Sequence, residues 1–248
     1  KIDSLSQVLI TPFEPLISKC ERIQFIIEPE LAKCTFDLLK YNEVPLFLQF
    51  EIVYCLEKID LGKSILDINN GLIISDSTAD PENGCGSAHQ LFTGTVYYKI
   101  ENASDELIEN QKDIDMILIS AHGEVDDGFK GGIYITDLQL NPDVFLTANP
   151  KLVYIDACQQ GINLSYVSAL KENGRTRFYI APIISNDAGD SSTKTIQWFF
   201  TKLKSSKDPV KALSYARRKL YSYYSYNTSC NKITVLNKSF PFRVYQIH

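Results

Sequence analysis

The nine residues VYIDACQQG, Val153–Gly161, pass from an apolar run straight into a cysteine, two glutamines and a glycine. A strand buried on both faces reads as a continuous apolar run closed by turn residues. The stretch is therefore predicted to be a core strand that delivers Cys158 to its carboxyl end, two residues behind Asp156.

Outward from it the same rhythm recurs. GLIIS (71–75), VYYKI (96–100), MILIS (116–120), LVYID (152–156) and RFYIA (177–181) are short apolar runs, with helix-period segments such as ASDELIENQ between them. Strands and helices in alternation predict an α/β fold with a mostly parallel central sheet covered by helices on both faces. Asp190 and Ser191 are placed to cap a helix through STKTIQWFFTKLK. Asp208-Pro209 is placed to open another through PVKALSYARRKLYSYY. FPFRVYQIH reads as a closing strand. Near the start, SLSQVLITPFEPLIS is amphipathic and broken by Pro12 and Pro15, while RIQFIIE and PLFLQFEIVY read as strands. Without repeats or low-complexity linkers, residues 1–248 are expected to form one domain, with 1–70 as an N-terminal flank and 71–248 as the core.

Composition narrows the function. With 44% hydrophobic and 22% charged residues the chain has the balance of a globular protein, able to build a core without disulfide staples. Its net charge of −5 and the lack of a basic cluster in the sequence argue against DNA or RNA as a direct partner. No apolar run approaches the ~18 residues of a membrane span, and the start KIDSLSQ is no signal peptide. The six cysteines show no CxxC pair, and Cys85 and His89, four apart, lack a second ligand pair. No metal or cofactor is expected, most of the cysteines read as reduced core residues, and the expected location is cytoplasmic. The chain begins at Lys1 and its one methionine is Met116, so a regulatory segment is expected to precede it.

A cysteine nucleophile needs a base, and histidine is the usual one. Of three histidines, His248 is terminal and His89 lies in GSAHQLF. His122 follows MILIS at the end of an apolar strand and is itself followed by Gly123. Sites in parallel α/β sheets gather outside the carboxyl ends of strands, so His122 and Cys158 are expected on one rim. The N–H groups of Gly123 and Cys158 are then candidates for an oxyanion hole. Chain order is informative: the histidine precedes the cysteine by 158 − 122 = 36 residues. Papain-like proteases and class I glutamine amidotransferases place it after, and no GxSxG marks a serine hydrolase.

HG after one strand and ACQQG after the next resemble the caspase-like cysteine peptidases, whose signature is a QAC[RQG]G motif with an upstream histidine. The wider chain is similar to the bacterial CHAT domain, a caspase-like module often found behind tetratricopeptide repeats. ELAKCTFDLL (30–39), with Thr35 in place of a proline, resembles that family's flanking segment, and KALSYARRKL resembles its AL-x-x-A helix. The resemblance implies a three-layer caspase-like sandwich and a His122–Cys158 dyad that hydrolyses a protein substrate through an acyl-enzyme. CHAT domains commonly carry serine two residues before the cysteine. Here Asp156 stands there, as in metacaspases and paracaspases, which implies a pocket for arginine or lysine before the cut bond. Asp76 is expected as another pocket-wall residue, with Asp187 and Asp190 as further acidic loop candidates, Asp187 of them assigned to the pocket. The resemblance also implies a sensor or repeat domain upstream as switch, and a target such as a gasdermin-like or CRISPR-associated protein in antiviral defence. The alternative is a catalytically silent interaction module, which would be expected to have lost the histidine or the cysteine.

Overall fold

The structure is a computed structural model that describes residues 1–59, 65–135, 138–227 and 229–248. The described strands are, in chain order, β1 (Arg22–Ile26), β2 (Lys40–Tyr41), β3 (Val44–Pro45), β4 (Glu51–Cys55), β5 (Gly71–Ser75), β6 (Thr95–Lys99), β7 (Met116–Ser120), β8 (Gly123–Val125), β9 (Gly131–Ile135), β10 (Leu138–Gln139), β11 (Leu152–Asp156), β12 (Phe178–Pro182) and β13 (Phe242–Gln246). Eight of them form one sheet in the order β1-β4-β13-β12-β11-β7-β5-β6. Strands β6, β5, β7, β11 and β12 run parallel to one another. The closing strand β13 pairs antiparallel with β12, and β4 and β1 continue parallel to β13.

Successive side chains on a strand point to opposite faces, and here both faces are apolar. Leu72 and Ile74, Ile117 and Ile119, Val153 and Ile155 face one core, completed by Val144, Phe145, Tyr166 and Leu170. Ile73, Met116, Leu118, Leu152 and Tyr154 face the other, completed by Ile196, Phe199, Phe200 and Leu213. Helices Val144–Ala148 and Leu164–Glu172 cover the first face, and helices Gly84–Leu91, Ser191–Ser206 and Pro209–Asn227 the second. This is the three-layer arrangement expected from the continuous apolar runs.

The N-terminal flank is stitched into these layers. Asp37, almost fully buried, accepts hydrogen bonds from Tyr54 Oη (2.5 Å) and Arg217 Nη1 (2.8 Å). Arg243 on β13 donates to the carbonyls of Ala32 and Cys34, each at 2.6 Å. Burial pushes the Asp37 carboxyl up, but Arg217 and Arg243 outweigh it and hold it below its ordinary value of 3.8.

Four local expectations need correction. PLFLQFEIVY is not one strand: Leu46–Gln49 makes a helical turn and β4 starts at Glu51. Leu46 and Phe47 bury their side chains there, and Gln49 Nε2 pins the turn to the carbonyls of Tyr41 (2.7 Å) and Val44 (2.9 Å). The acidic residues after His122, Glu124, Asp126 and Asp127, read in the sequence as a solvated loop; Glu124 instead lies on β8, in a small antiparallel sheet of β8, β9 and β10. Asp190 precedes helix Ser191–Ser206 but makes no side-chain cap, because Lys194 (2.9 Å) and Lys238 (2.8 Å) take its carboxylate. The cysteines are also less uniformly core than expected: Cys55 and Cys85 are buried, whereas Cys20 and Cys34 are exposed. Asp208 does cap its helix, accepting from Val210 N (2.9 Å) and Lys211 N (3.1 Å).

Candidate active site

Strands β7 and β11 pair in parallel register, Met116 with Leu152 through Ser120 with Asp156. The pairing continues one step further, where Ala121 N–H donates to Asp156 O at 3.1 Å. Every pair is offset by 36 residues, and 158 − 122 is also 36. His122 and Cys158 therefore leave the sheet at equivalent positions on neighbouring strands, whose axes lie ~4.8 Å apart. Both side chains line one cleft together with Ala79, Asp156, Asn186 and Asp187. His122 is exposed and Cys158 half-buried, so solvent reaches the imidazole and part of the thiol.

The loop bearing Cys158 is held by unusual local geometry. Gln159, just after it, sits in the left-handed region at φ 61°, which turns the chain sharply. Gln160, fully buried, donates through Nε2 to the carbonyls of Cys158 (3.1 Å), Gly132 (3.1 Å) and Glu124 (3.2 Å). Its Oε1 accepts from Asn163 Nδ2 (2.9 Å), which also donates to Gly131 O (3.0 Å). One glutamine thus ties the cysteine turn to the hairpin that starts at Gly123.

Gly123 is glycine for a steric reason. A Cβ there would lie 2.9 Å from Gln160 Nε2 and 3.0 Å from both Ala157 Cβ and Gly132 O. Its amide is also free of the ladder. Tyr134 N–H donates to His122 O (2.9 Å) and Asp126 N–H to Lys130 O (2.7 Å). Bonded and non-bonded pairs alternate in an antiparallel ladder, so the Gly123–Ile133 pair is non-bonded and Gly123 N–H points away from β9. The N–H of Cys158 has no hydrogen-bond partner among the described residues.

His122 is oriented by Thr78, outside the expected set, and behind it by Asp76. Its Nε2 lies 2.9 Å from Thr78 Oγ1. The Thr78 hydroxyl donates to Asp76 Oδ1 (2.7 Å), which also accepts from Thr78 N (2.8 Å). With that single proton committed to Asp76, Thr78 Oγ1 is placed as an acceptor for Nε2–H, the tautomer that leaves the Nδ1 lone pair available. Asp76 is therefore not among the cleft-lining residues, where a pocket wall was expected. It acts one bond further out. A threonine two residues beyond an aspartate at a strand end was the signal available in the sequence.

Asp156 lines the cleft, buried, and three donors already engage it. Ser192 Oγ (2.6 Å) and Ser120 Oγ (2.7 Å) donate to Oδ2, and Asn186 Nδ2 (3.1 Å) to Oδ1. Burial raises its pKa above the ordinary 3.8, with the three hydrogen bonds acting in the opposite sense. Asn186 touches Cys158 as well. Its N–H donates to Cys158 Sγ (3.4 Å) and its carbonyl accepts from the thiol (3.6 Å). Asp187 lies at the exposed rim, 3.4 Å from Lys238 Nζ, while Asp190 is outside the cleft. His89 is elsewhere, bonded through Nδ1 to Thr95 Oγ1 (2.8 Å).

A similar solved structure is the complex of the pro- and mature domains of RgpB from Porphyromonas gingivalis. The match has a TM-score of 0.63 at 13% sequence identity and covers 98% of this chain and 68% of that one. The fold is caspase-like. The sequence matches no family model and no curated protein. At this identity the likeness speaks to the caspase-like fold alone, and the chemistry rests on the residues of the cleft. Among the described residues no helix is long and apolar enough to cross a membrane.

Proposed function

We propose that the protein is a cysteine endopeptidase that cleaves a protein substrate after arginine or lysine. The observation that carries this reading is the shared register of His122 and Cys158, which brings a base and a thiol to one cleft of a caspase-like fold. In the proposed reaction Cys158 Sγ attacks the scissile carbonyl, and the thiol proton passes to His122. The N–H groups of Gly123 and Cys158 hold the oxygen that becomes negative. His122 then gives its proton to the departing amine as the C–N bond breaks, leaving a thioester on Cys158. Water attacks the thioester, His122 takes the water proton, and the C–S bond breaks to release the acid and restore the thiol. No cofactor takes part in these steps.

Asp156 supports a basic residue before the cut bond, because a buried carboxylate beside the nucleophile matches a guanidinium or ammonium entering from the cleft. The entering cation takes the place of the Asn186 amide at Oδ1, and Asp187 at the rim adds negative charge. The resemblance of segments such as KALSYARRKL to CHAT domains is the ground for proposing, further, a cytoplasmic enzyme that an upstream sensor or repeat domain switches on. A gasdermin-like or CRISPR-associated target in antiviral defence fits the same reading. A fluorogenic peptide library varied at the residue before the cut tests the proposal. Cleavage after Arg or Lys, absent in Cys158→Ala, is expected; cleavage only after acidic or apolar residues removes Asp156 from the pocket role. Undiminished cleavage by Cys158→Ala removes the mechanism.

A further inference from the structure

Helices Ser191–Ser206 and Pro209–Asn227 border a groove of about 390 Å³ that shares no lining residue with the cleft. Although the chain is acidic, with a net charge of −5, four cations line this groove: Lys202, Lys211, Arg218 and Lys219. In the sequence they are dispersed over two segments. Helical spacing puts 211, 215, 218 and 219 on one face, and the helix pairing brings Lys202 to meet them.

Two of the cations are held by aromatic rings rather than by carboxylates. Nζ of Lys202 and of Lys219 flank the Tyr215 ring, 5.5 and 5.6 Å from its centroid. Among the described residues neither Lys211 nor Arg218 has a carboxylate at ion-pair distance. Glu51, the single carboxylate in the lining, is taken up by Arg22 at 2.5 Å. Among the described residues, two buried donors in the lining also lack a partner. Ser214, 7% exposed, has an unpaired Oγ, and Arg218 has an unpaired Nε. Buried polar groups are normally satisfied, so an unmatched hydroxyl and guanidinium among uncompensated cations mark a place made for a multivalent anion.

We propose that this groove binds a small oligophosphate, a di- or triphosphate group, with Arg218 presenting its fork and Lys202, Lys211 and Lys219 surrounding it. Phosphate suits the arginine geometry, and the volume lies within the ~300–1,000 Å³ range of small-molecule sites. The proposal does not depend on the peptidase reading.

The chain carries its own reporter. Trp198 is the only tryptophan, and Lys219 Nζ lies 4.6 Å from its ring centroid. Inorganic triphosphate titrated into the full chain is expected to change Trp198 emission saturably, with inorganic phosphate binding more weakly. Lys211→Gln and Arg218→Gln should each weaken triphosphate about tenfold, while Lys112→Gln, outside the groove, should not. Lys211 is exposed, so its variant keeps the test valid if Arg218→Gln misfolds. Absence of saturable binding at millimolar triphosphate, equal binding by Lys211→Gln, or tighter binding of hexaglutamate than of triphosphate would overturn the proposal.

Discussion

His122 and Cys158 stand two residues beyond paired positions of adjacent parallel strands, Ser120 on β7 and Asp156 on β11. Their 36-residue separation in sequence equals the register offset of those strands, so the sheet itself sets their spacing rather than a loop. Functional groups carried directly by core strands are positioned more rigidly than groups on long loops.

Gly123→Ala tests the proposed oxyanion site. The added methyl meets Gln160 Nε2, Ala157 Cβ and Gly132 O at 2.9–3.0 Å, so the backbone that carries Gly123 N–H has to shift. We expect kcat/KM to fall by about 10²–10³, the cost of one oxyanion donor. Thermal melting checks that the fold survives. An alanine variant with wild-type turnover would move the oxyanion hole elsewhere.

Thr78→Val removes the acceptor of His122 Nε2–H while keeping the side-chain shape. On the proposed mechanism kcat falls by up to about 10², the lower end of what a positioned base contributes. Thr78→Ser should restore most of it. The pH–rate profile separates this from a fold defect, since only loss of histidine orientation moves its limbs.

Asp156→Asn separates specificity from stability. Burial makes the native carboxyl harder to ionise than the unfolded one, so it releases a proton on unfolding. Its contribution is most favourable below the ordinary 3.8 and is lost as pH rises through the elevated native value. We therefore expect Asp156→Asn to gain stability relative to the parent between acidic and neutral pH, followed by denaturant melts. Cleavage after arginine should fall at neutral pH, where the parent carboxylate is available to the substrate cation.

Asp37→Asn tests the attachment of the flank. It leaves Arg217 and Arg243 buried without their carboxylate, and losing one partner of a buried pair costs about 3–5 kcal/mol. Because the native Asp37 pKa is held down, its contribution is complete above the ordinary 3.8 and disappears as pH falls below the lowered value. Urea unfolding at neutral and acidic pH should show the difference between parent and variant shrinking.

The strands were legible because they are buried on both faces. GLIIS, MILIS and LVYID match β5, β7 and β11 residue for residue, since a continuous apolar run has few other ways to be satisfied. VYYKI and RFYIA are displaced by one residue, as strand ends generally are. PLFLQ was misread because apolar content does not distinguish a buried helical turn from a strand, and the bonds from Gln49 that decide it are not local to the pattern. His122 and Cys158 were visible as residue types at strand ends. Thr78, Gln160 and Asn186 were not, because their roles come from hydrogen bonds formed only when segments 28 to 44 residues apart meet over the sheet edge.

Reaction of Cys158 with an affinity label is the most direct measurement. A peptidyl-arginyl acyloxymethyl ketone, followed by peptide mapping, should modify Cys158 in the parent and leave the exposed Cys20 and Cys34 untouched. His122→Ala should slow that modification strongly. Labelling of Cys158 at an equal rate in His122→Ala, or preferential labelling of Cys20 or Cys34, would contradict a histidine-activated nucleophile at this site.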